Sequence, residues 1–230
     1  MAYTNSSLVT YKNISSNKTS PRGHKIDTIT IHCIAGQWTA KQGCDYFATT
    51  KRQCSSNYVV GKDGSIGLSV EEKDRSWCSS NKANDHRAIT IEVASDTTHP
   101  YAVTDKALSA LIELVADICK RNKIKELKWK ADKSLIGQVD KQNMTVHRWF
   151  ANKACPGDYL YNKHSYIAEQ VNKKLGAVPL SPKKSLNDWA KEVIAGKHGN
   201  GHTNREKSLK KSGCAYSYSK VRARVNELLK

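Results

Sequence analysis

The first clear strand in the sequence is "IDTITIHCI", residues 26–34, where β-branched side chains alternate with polar ones. Successive side chains of a strand point to opposite faces of its sheet. Ile29 and Ile31 therefore share an apolar face, and Thr30 and His32 share the other. This pattern predicts a strand with one face in the core and one ionisable group on the face behind it.

A second stretch, "AITIEVAS" at residues 88–95, repeats the pattern. Ile89 and Ile91 share a face, and Glu92 lies on the opposite one. Open α/β sheets carry their sites at the carboxyl ends of their strands, so His32 and Glu92 could meet there. Taken singly, His32 also fits a hydrogen-bonded core histidine, and Glu92 an exposed residue at a strand end.

Strand and helix patterns alternate through the first three quarters of the chain. The spacing of apolar residues predicts helices at 39–53, 104–124 and 159–175, a hairpin turning at 62–64, and a short strand before His147. This order predicts an α/β fold with a central mixed, mostly parallel sheet flanked by helices on both faces, in three layers.

The composition changes at "KKLGAVPLSPKKS", residues 173–185, where a helix ends at a glycine and two prolines follow. This change predicts a first domain at 1–176, a linker at 177–184 and a second domain at 185–230. Three amphipathic stretches in the last part predict a small three-helix bundle, because their apolar stripes need one another for burial.

The 230 residues include 38 Lys and Arg against 21 Asp and Glu, a net charge of +17. This excess favours a polyanionic partner: nucleic acid, an anionic membrane or an anionic cell-wall polymer. The sequence contains no apolar run long enough for a membrane span, and its first 25 residues contain no secretory signal. We therefore expect no membrane insertion and synthesis in a cytoplasm, where the seven cysteines stay reduced.

The stretch "TVHRWFANKACPGDY", residues 145–159, places His147 and Cys155 eight positions apart. Together with His32 they would give two imidazoles and a thiolate, which is a known catalytic zinc arrangement with one position open to water. Glu92 would then be the general base, and Lys153 would stabilise a developing oxyanion. The spacing of His147 and Cys155 alone is a weak signal, because Cys155 could equally be a small buried thiol.

Four motifs together, "TITIHCIAG", "SSNYVVGKDGSIG", "ANDHRAITIEVASD" and "TVHRWFANKACPGDYLY", resemble the zinc-dependent N-acetylmuramoyl-L-alanine amidases of the peptidoglycan-recognition and phage-lysozyme type. The resemblance covers roughly residues 20–175. It implies the three-layer amidase fold, a Zn²⁺ ion on His32, His147 and Cys155, and hydrolysis of the amide between N-acetylmuramic acid and L-alanine. It places Glu92 and Lys153 at catalytic positions.

The sequence departs from this family at the hairpin, where Ser56 stands at the position of a tyrosine that helps to orient the zinc water. Tyr58 is displaced by two residues, so we leave it out of the site. Asn57, Trp77 and Asn84 are candidate substrate contacts. Trp38 and Trp149 could line a substrate groove or pack in the core. The remaining histidines of the first domain and the remaining cysteines are expected at the surface and as inert thiols, respectively: His24, His86, His99, His164; Cys33, Cys44, Cys54, Cys78, Cys119, Cys214.

The C-terminal stretch resembles the cell-wall-binding repeat of certain phage lysozymes, a three-helix bundle that binds the muramyl-peptide part of the wall. His198 stands where that repeat usually has a tryptophan. The resemblance indicates a single wall-binding loop. The glycines let its backbone approach a ligand, and the arginine could grip a carboxylate or phosphate; the loop residues are Gly199, Asn200, Gly201 and Arg205. The same residues could also form a simple connection between helices.

These observations predict a phage endolysin that is made in the host cytoplasm and acts on the wall after release. Its expected partner is peptidoglycan, together with anionic polymers of a Gram-positive host. The alternative is a recognition protein that keeps the zinc and binds muropeptide without cleaving it. A basic nucleic-acid binder is the third class, and it is disfavoured because the helical domain contains no DNA-reading motif.

Overall fold

The structure, a computed structural model, describes residues 3–176, 185–212, 214 and 216–229. The chain divides into two compact units, Met1–Ala177 and Val178–Lys230. Each unit has a hydrophobic core of its own. The linker predicted at 177–184 lies outside the described residues.

The first unit is built on a six-stranded sheet with the order β1-β5-β4-β7-β3-β8. Only the β4–β5 hairpin is antiparallel, and the other neighbours are parallel. A separate antiparallel pair joins β2 to β6. The strands are β1 (Tyr11–Lys12), β2 (Lys18–Thr19), β3 (Thr28–Ala35), β4 (Tyr58–Val60), β5 (Ile66–Leu68), β6 (Arg75–Ser76), β7 (Ala88–Ser95) and β8 (Met144–Thr145). The mixed, mostly parallel sheet is as predicted.

Helices cover both faces of this sheet, so the predicted three layers are confirmed. They are α1 (Ala40–Thr49), α2 (Lys82–Arg87), α3 (Asp105–Arg121) and α4 (Gly157–Lys174). The apolar sides of α3 and α4 share the main core with Ile29, Ile31 and the apolar face of β7. Cys44 and Phe47 of α1 pack on Val59, on the opposite face.

The two central strands, β3 and β7, pair in parallel along their whole length. Ile29 lies beside Ile89 and Ile31 beside Ile91, all on the face towards α3. Because paired side chains of neighbouring strands lie on the same face, the next step in the register puts His32 beside Glu92 on the other face. The core thus sets which way both ionisable side chains point.

Short elements near the N-terminus were not predicted. β1 adds a parallel strand beside β5, and β2 pairs with β6. The amide of Ser6 donates to the Tyr58 hydroxyl, which donates in turn to Glu72. The Tyr58 ring is fully buried in the main core, on the face away from His32. The Tyr58 ring therefore does not face His32.

The second unit has the three predicted helices, α5 (Leu186–Ile194), α6 (His202–Lys211) and α7 (Tyr218–Leu228). Its core contains Trp189, Ala190, Val193, Leu209, Val221 and Val225. His198 is buried against Trp189 with ring centroids 5.7 Å apart. Among the described residues of both units, no helix is long and apolar enough to cross a membrane.

Candidate metal centre

Two loop residues come to the polar face of β3, close to His32. His147 begins a single 3₁₀ turn directly after β8, the neighbour of β3, and Cys155 ends the same loop. The loop is tied to itself by Arg148, whose amide donates to the Cys155 carbonyl and whose guanidinium donates to the Ala154 carbonyl. Arg148 also forms a 2.8 Å ion pair with Asp158 at the start of α4.

The donor atoms of His32, His147 and Cys155 all lie within 4.8 Å of one another. Cys155 Sγ is 3.3 Å from His32 Nδ1. Two such ligands on a tetrahedral zinc ion stand about 3.5 Å apart, given the usual Zn–S and Zn–N lengths. His32 is fully buried, and its Nε2 has no hydrogen-bond partner among the described residues. The donor set and its spacing fit a zinc ion.

The electrostatics of the site favour neutral donors. Burial lowers the pKa of His32 well below its ordinary value, and the neighbouring His147 lowers it further. Burial and the charge of Lys153 lower the pKa of His147. Both rings are therefore neutral near pH 7, as a metal ligand must be. Burial raises the pKa of the Cys155 thiol, so a metal would have to displace its proton.

Glu92 lies beside the three donors, with Oε1 4.0 Å from His32 Nδ1. Burial raises the pKa of its carboxyl to about 7, while a contact from Cys78 opposes the rise. A carboxyl with such a pKa can both accept and donate a proton near neutrality, which suits a general acid–base group. Lys153 is exposed, and its effect on His147 shows that its charge reaches the site.

The three predicted substrate contacts all make hydrogen bonds within the fold. Asn57 is fully buried, and its amide donates to backbone carbonyls of residues 70, 71 and 74. Asn84 is buried and hydrogen bonds to Thr30 and Thr145 beneath the site. Half-buried Trp77 donates from Nε1 to Thr19. These hydrogen bonds hold the fold together, and the role of the three residues as substrate contacts stays a prediction.

Two residues near the donors were missed. Ser80 Oγ lies 3.1 Å from His147 Nε2, so it can fix the orientation of that ring. Cys78, expected to be an inert thiol, has its Sγ 3.7 Å from Glu92 Oε1. Both follow β6 in a loop without a regular pattern, and the sequence contained no signal for either.

One histidine predicted at the surface, His164, is instead fully buried in α4. Its ring packs on Trp129 at 4.5 Å, and Trp129 stacks on Trp149 at 5.0 Å with the rings nearly parallel. Trp149 is therefore a packing residue behind the loop of His147. Trp38 is half-buried against Tyr46.

In the second unit, the predicted loop of Gly199, Asn200 and Gly201 is exposed, and both glycines have positive φ with open space around them. Arg205 donates from Nε to the Gly199 carbonyl. A cavity of about 180 Å³ lies beside Arg205, and its lining residues are Val193, His202, Arg205, Tyr218, Arg222, Val225 and Asn226.

Comparison with known proteins gives matches for both units. Residues 22–158 match the family described as N-acetylmuramoyl-L-alanine amidase, and residues 187–229 match the CW_7 repeat, a cell-wall-binding repeat. No curated protein matches the sequence.

Three solved structures are among those that match the chain. The structure of PlyL is 15% identical, with a TM-score of 0.49, and the match covers 70% of this chain and 95% of that one. A mutant endolysin from Bacillus subtilis is 18% identical, with a TM-score of 0.48 and coverage of 71% and 99%. An AmpD derivative is 17% identical, with a TM-score of 0.48 and coverage of 73% and 99%. Since the amidase family matches more than half of the 230 residues, the chain belongs to the N-acetylmuramoyl-L-alanine amidase family.

Proposed function

We propose that this protein is a zinc-dependent endolysin that hydrolyses the amide between N-acetylmuramic acid and L-alanine in peptidoglycan. The observation that carries the proposal is the cluster of His32, His147 and Cys155, whose donor atoms lie within 4.8 Å of one another beside Glu92. It lies within the residues that match the amidase family.

In this proposal His32, His147 and Cys155 hold the ion. Bound zinc supplies Lewis acidity, which activates a water and polarises the carbonyl of the scissile amide. Glu92 takes the proton from the attacking water and delivers it to the leaving nitrogen of L-alanine. Lys153 places its ammonium near the carbonyl oxygen, where negative charge develops.

The C-terminal unit, residues 185–230 in this proposal, binds the same wall. Two arginines, Arg205 and Arg222, line the cavity together with Tyr218. Arginine suits carboxylate or phosphate recognition, because its planar fork can donate two parallel hydrogen bonds. The stem peptide supplies carboxylates and anionic wall polymers supply phosphates, so both are proposed ligands. The charge of +17 would add long-range attraction to such a wall.

The cleavage reaction is tested by zinc analysis and by mass analysis of digested peptidoglycan. The wild type is expected to hold one equivalent of zinc and to release peptides with a free L-alanine amino terminus. His32→Ala should lose both, and His147→Ala and Cys155→Ala should lose cleavage. Full cleavage by metal-free protein would contradict the zinc mechanism, whereas tight muropeptide binding without any cleavage would favour the recognition protein.

The wall-binding role is tested by sedimentation of the full chain with purified cell walls. Arg205→Ala should reduce the bound fraction several-fold, because it removes a cation that lines the cavity. Lys210→Ala is the matched control, since Lys210 is an exposed cation of the same helix that does not line the cavity. Equal losses in the two variants would indicate general charge attraction instead of a specific site.

The site of action is a further part of the proposal. The protein is made in the cytoplasm of the infected host and reaches the wall when it is released at lysis. Purified protein added from outside should lyse Gram-positive cells or their isolated walls, and the fall in turbidity measures this. If the turbidity of isolated walls does not fall, the result would contradict the endolysin role.

A further inference from the structure

A second group of donor atoms lies next to the first one. A nitrogen of His32, the thiol of Cys78 and a carboxylate oxygen of Glu92 lie within 4.8 Å of one another. Cys78 Sγ is 3.7 Å from Glu92 Oε1, and the same oxygen is 4.0 Å from His32 Nδ1. Ligands of a tetrahedral zinc ion stand about 3.3–3.6 Å apart, so the Cys78–Glu92 distance already fits such an ion and the His32–Glu92 distance is about half an ångström longer.

Hydrogen bonds to Asp85 hold the backbone of Cys78 in this position. The Cys78 amide donates to Asp85 Oδ2 at 3.0 Å, and the Ser79 hydroxyl donates to Asp85 Oδ1 at 2.5 Å. Asp85 is itself buried in α2, which precedes the strand of Glu92. These hydrogen bonds hold the loop after β6 against α2. The fold therefore places the Cys78 thiol next to the Glu92 carboxylate.

The group also contains atoms that lack a partner. Glu92 Oε2 and His32 Nε2 are buried and make no hydrogen bond within the described residues. A buried polar atom without a partner is destabilising, and a bound cation would satisfy the carboxylate. Nitrogen, thiolate and carboxylate together are the ligand types that zinc prefers.

We propose that His32, Cys78 and Glu92 form a second binding position for a thiophilic divalent cation such as Zn²⁺ or Cd²⁺. His32 Nδ1 faces both groups, since it lies 3.3 Å from Cys155 Sγ and 4.0 Å from Glu92 Oε1. An ion in the first group leaves only Cys78 and Glu92 for the second ion, which therefore binds more weakly.

The second position has a consequence for catalysis, which rests on the proposed function. An ion bound to Glu92 occupies the carboxylate that would carry the proton. Metal in excess of one equivalent therefore inhibits cleavage, while the first equivalent supports it.

The metal site itself is tested by titration of the full chain with Cd²⁺, followed through the ultraviolet charge-transfer band of cadmium thiolate. Cys155→Ala removes the thiol of the first group and leaves the second group complete, so one equivalent of Cd²⁺ should still bind and produce the band. Adding Cys78→Ser to Cys155→Ala should weaken binding at least tenfold and remove the band. Adding Cys214→Ser instead should change neither, because Cys214 belongs to the second unit.

A band that persists in Cys155→Ala/Cys78→Ser would overturn the proposal, as would the absence of a band in Cys155→Ala. Circular dichroism verifies that each variant is folded, and Cys78→Ala replaces Cys78→Ser if the serine variant does not fold. In wild type, the cleavage rate with excess zinc should be lower than the rate with one equivalent of zinc. In Cys78→Ser these two rates should be closer to equal. If the wild type does not cleave peptidoglycan, the proposed function fails, and the cadmium titration still decides the second position.

Discussion

Asn84 gives the sharpest test of how the site is supported, because its amide joins α2 to two strands. Nδ2 donates to Thr30 Oγ1 at 3.1 Å and to Ser79 Oγ at 3.2 Å, and Oδ1 accepts from Thr145 Oγ1 at 2.9 Å. The side chain is only 6% exposed. Asn84→Ala removes these three hydrogen bonds from a buried position.

Each such bond contributes about 1 kcal/mol net, so we expect Asn84→Ala to lower the free energy of unfolding by about 3 kcal/mol. Alanine favours a helix by up to about 0.7 kcal/mol over asparagine, which offsets a small part of this loss. Asn162→Ala has the same helical gain at an exposed position of α4, and it should change stability by less than about 0.5 kcal/mol.

The measurement is urea unfolding followed by far-ultraviolet circular dichroism, with EDTA present so that metal binding does not add to stability. The midpoint of the transition of the first unit should fall, with an unchanged slope. A loss below about 1 kcal/mol would refute the hydrogen-bond reasoning, since three bonds are removed. A higher KM of Asn84→Ala at unchanged stability would instead indicate that Asn84 contacts the substrate.

Three further predictions concern single side chains. Glu92→Gln should still bind one zinc ion and lower kcat by about 10²–10⁴-fold, because the amide cannot carry the proton; a near wild-type rate would place the general base elsewhere. Tyr58→Phe removes two buried hydrogen bonds, to Ser6 and Glu72, and should lower stability by about 2 kcal/mol in urea at unchanged kcat, since the ring lies on the face away from His32. Burial lowers the pKa of His164 to about 4 from 6.5, so the unfolded chain binds a proton at a higher pH than the folded chain. Stability should therefore fall by about 3 kcal/mol as the pH drops from 6.5 to 4, and His164→Gln should flatten this part of the profile; equal slopes would refute the assignment.

The sheet and part of the site were predictable because strand alternation is a strong local signal. The isoleucines of β3 and β7 indicate which face is buried, and the opposite face then carries His32 and Glu92. The apolar stripes of α3, α5 and α7 are equally local. His147 and Cys155 could be linked to them through the order of motifs, since their own spacing is a weak signal.

The rest depends on partners far away in the sequence. Asn84 is 54 residues from Thr30 and 61 from Thr145, and no local pattern indicates such contacts. Strands of two residues, such as β1 and β2, have too few side chains to alternate. The position of Cys78 depends on hydrogen bonds to Asp85, and the burial of His164 depends on Trp129. These features form only when the tertiary structure does.

The loop that Arg148 holds together would affect how a metal leaves the proposed zinc site. His147 and Cys155 would act as one chelating unit, because the Arg148 contacts hold the two ends of their loop together. An ion that lost its bond to one of these residues would stay bound to the other. Complete release would then require the loop to separate from His32 on the sheet, so the lifetime of a bound metal would report how often this junction opens.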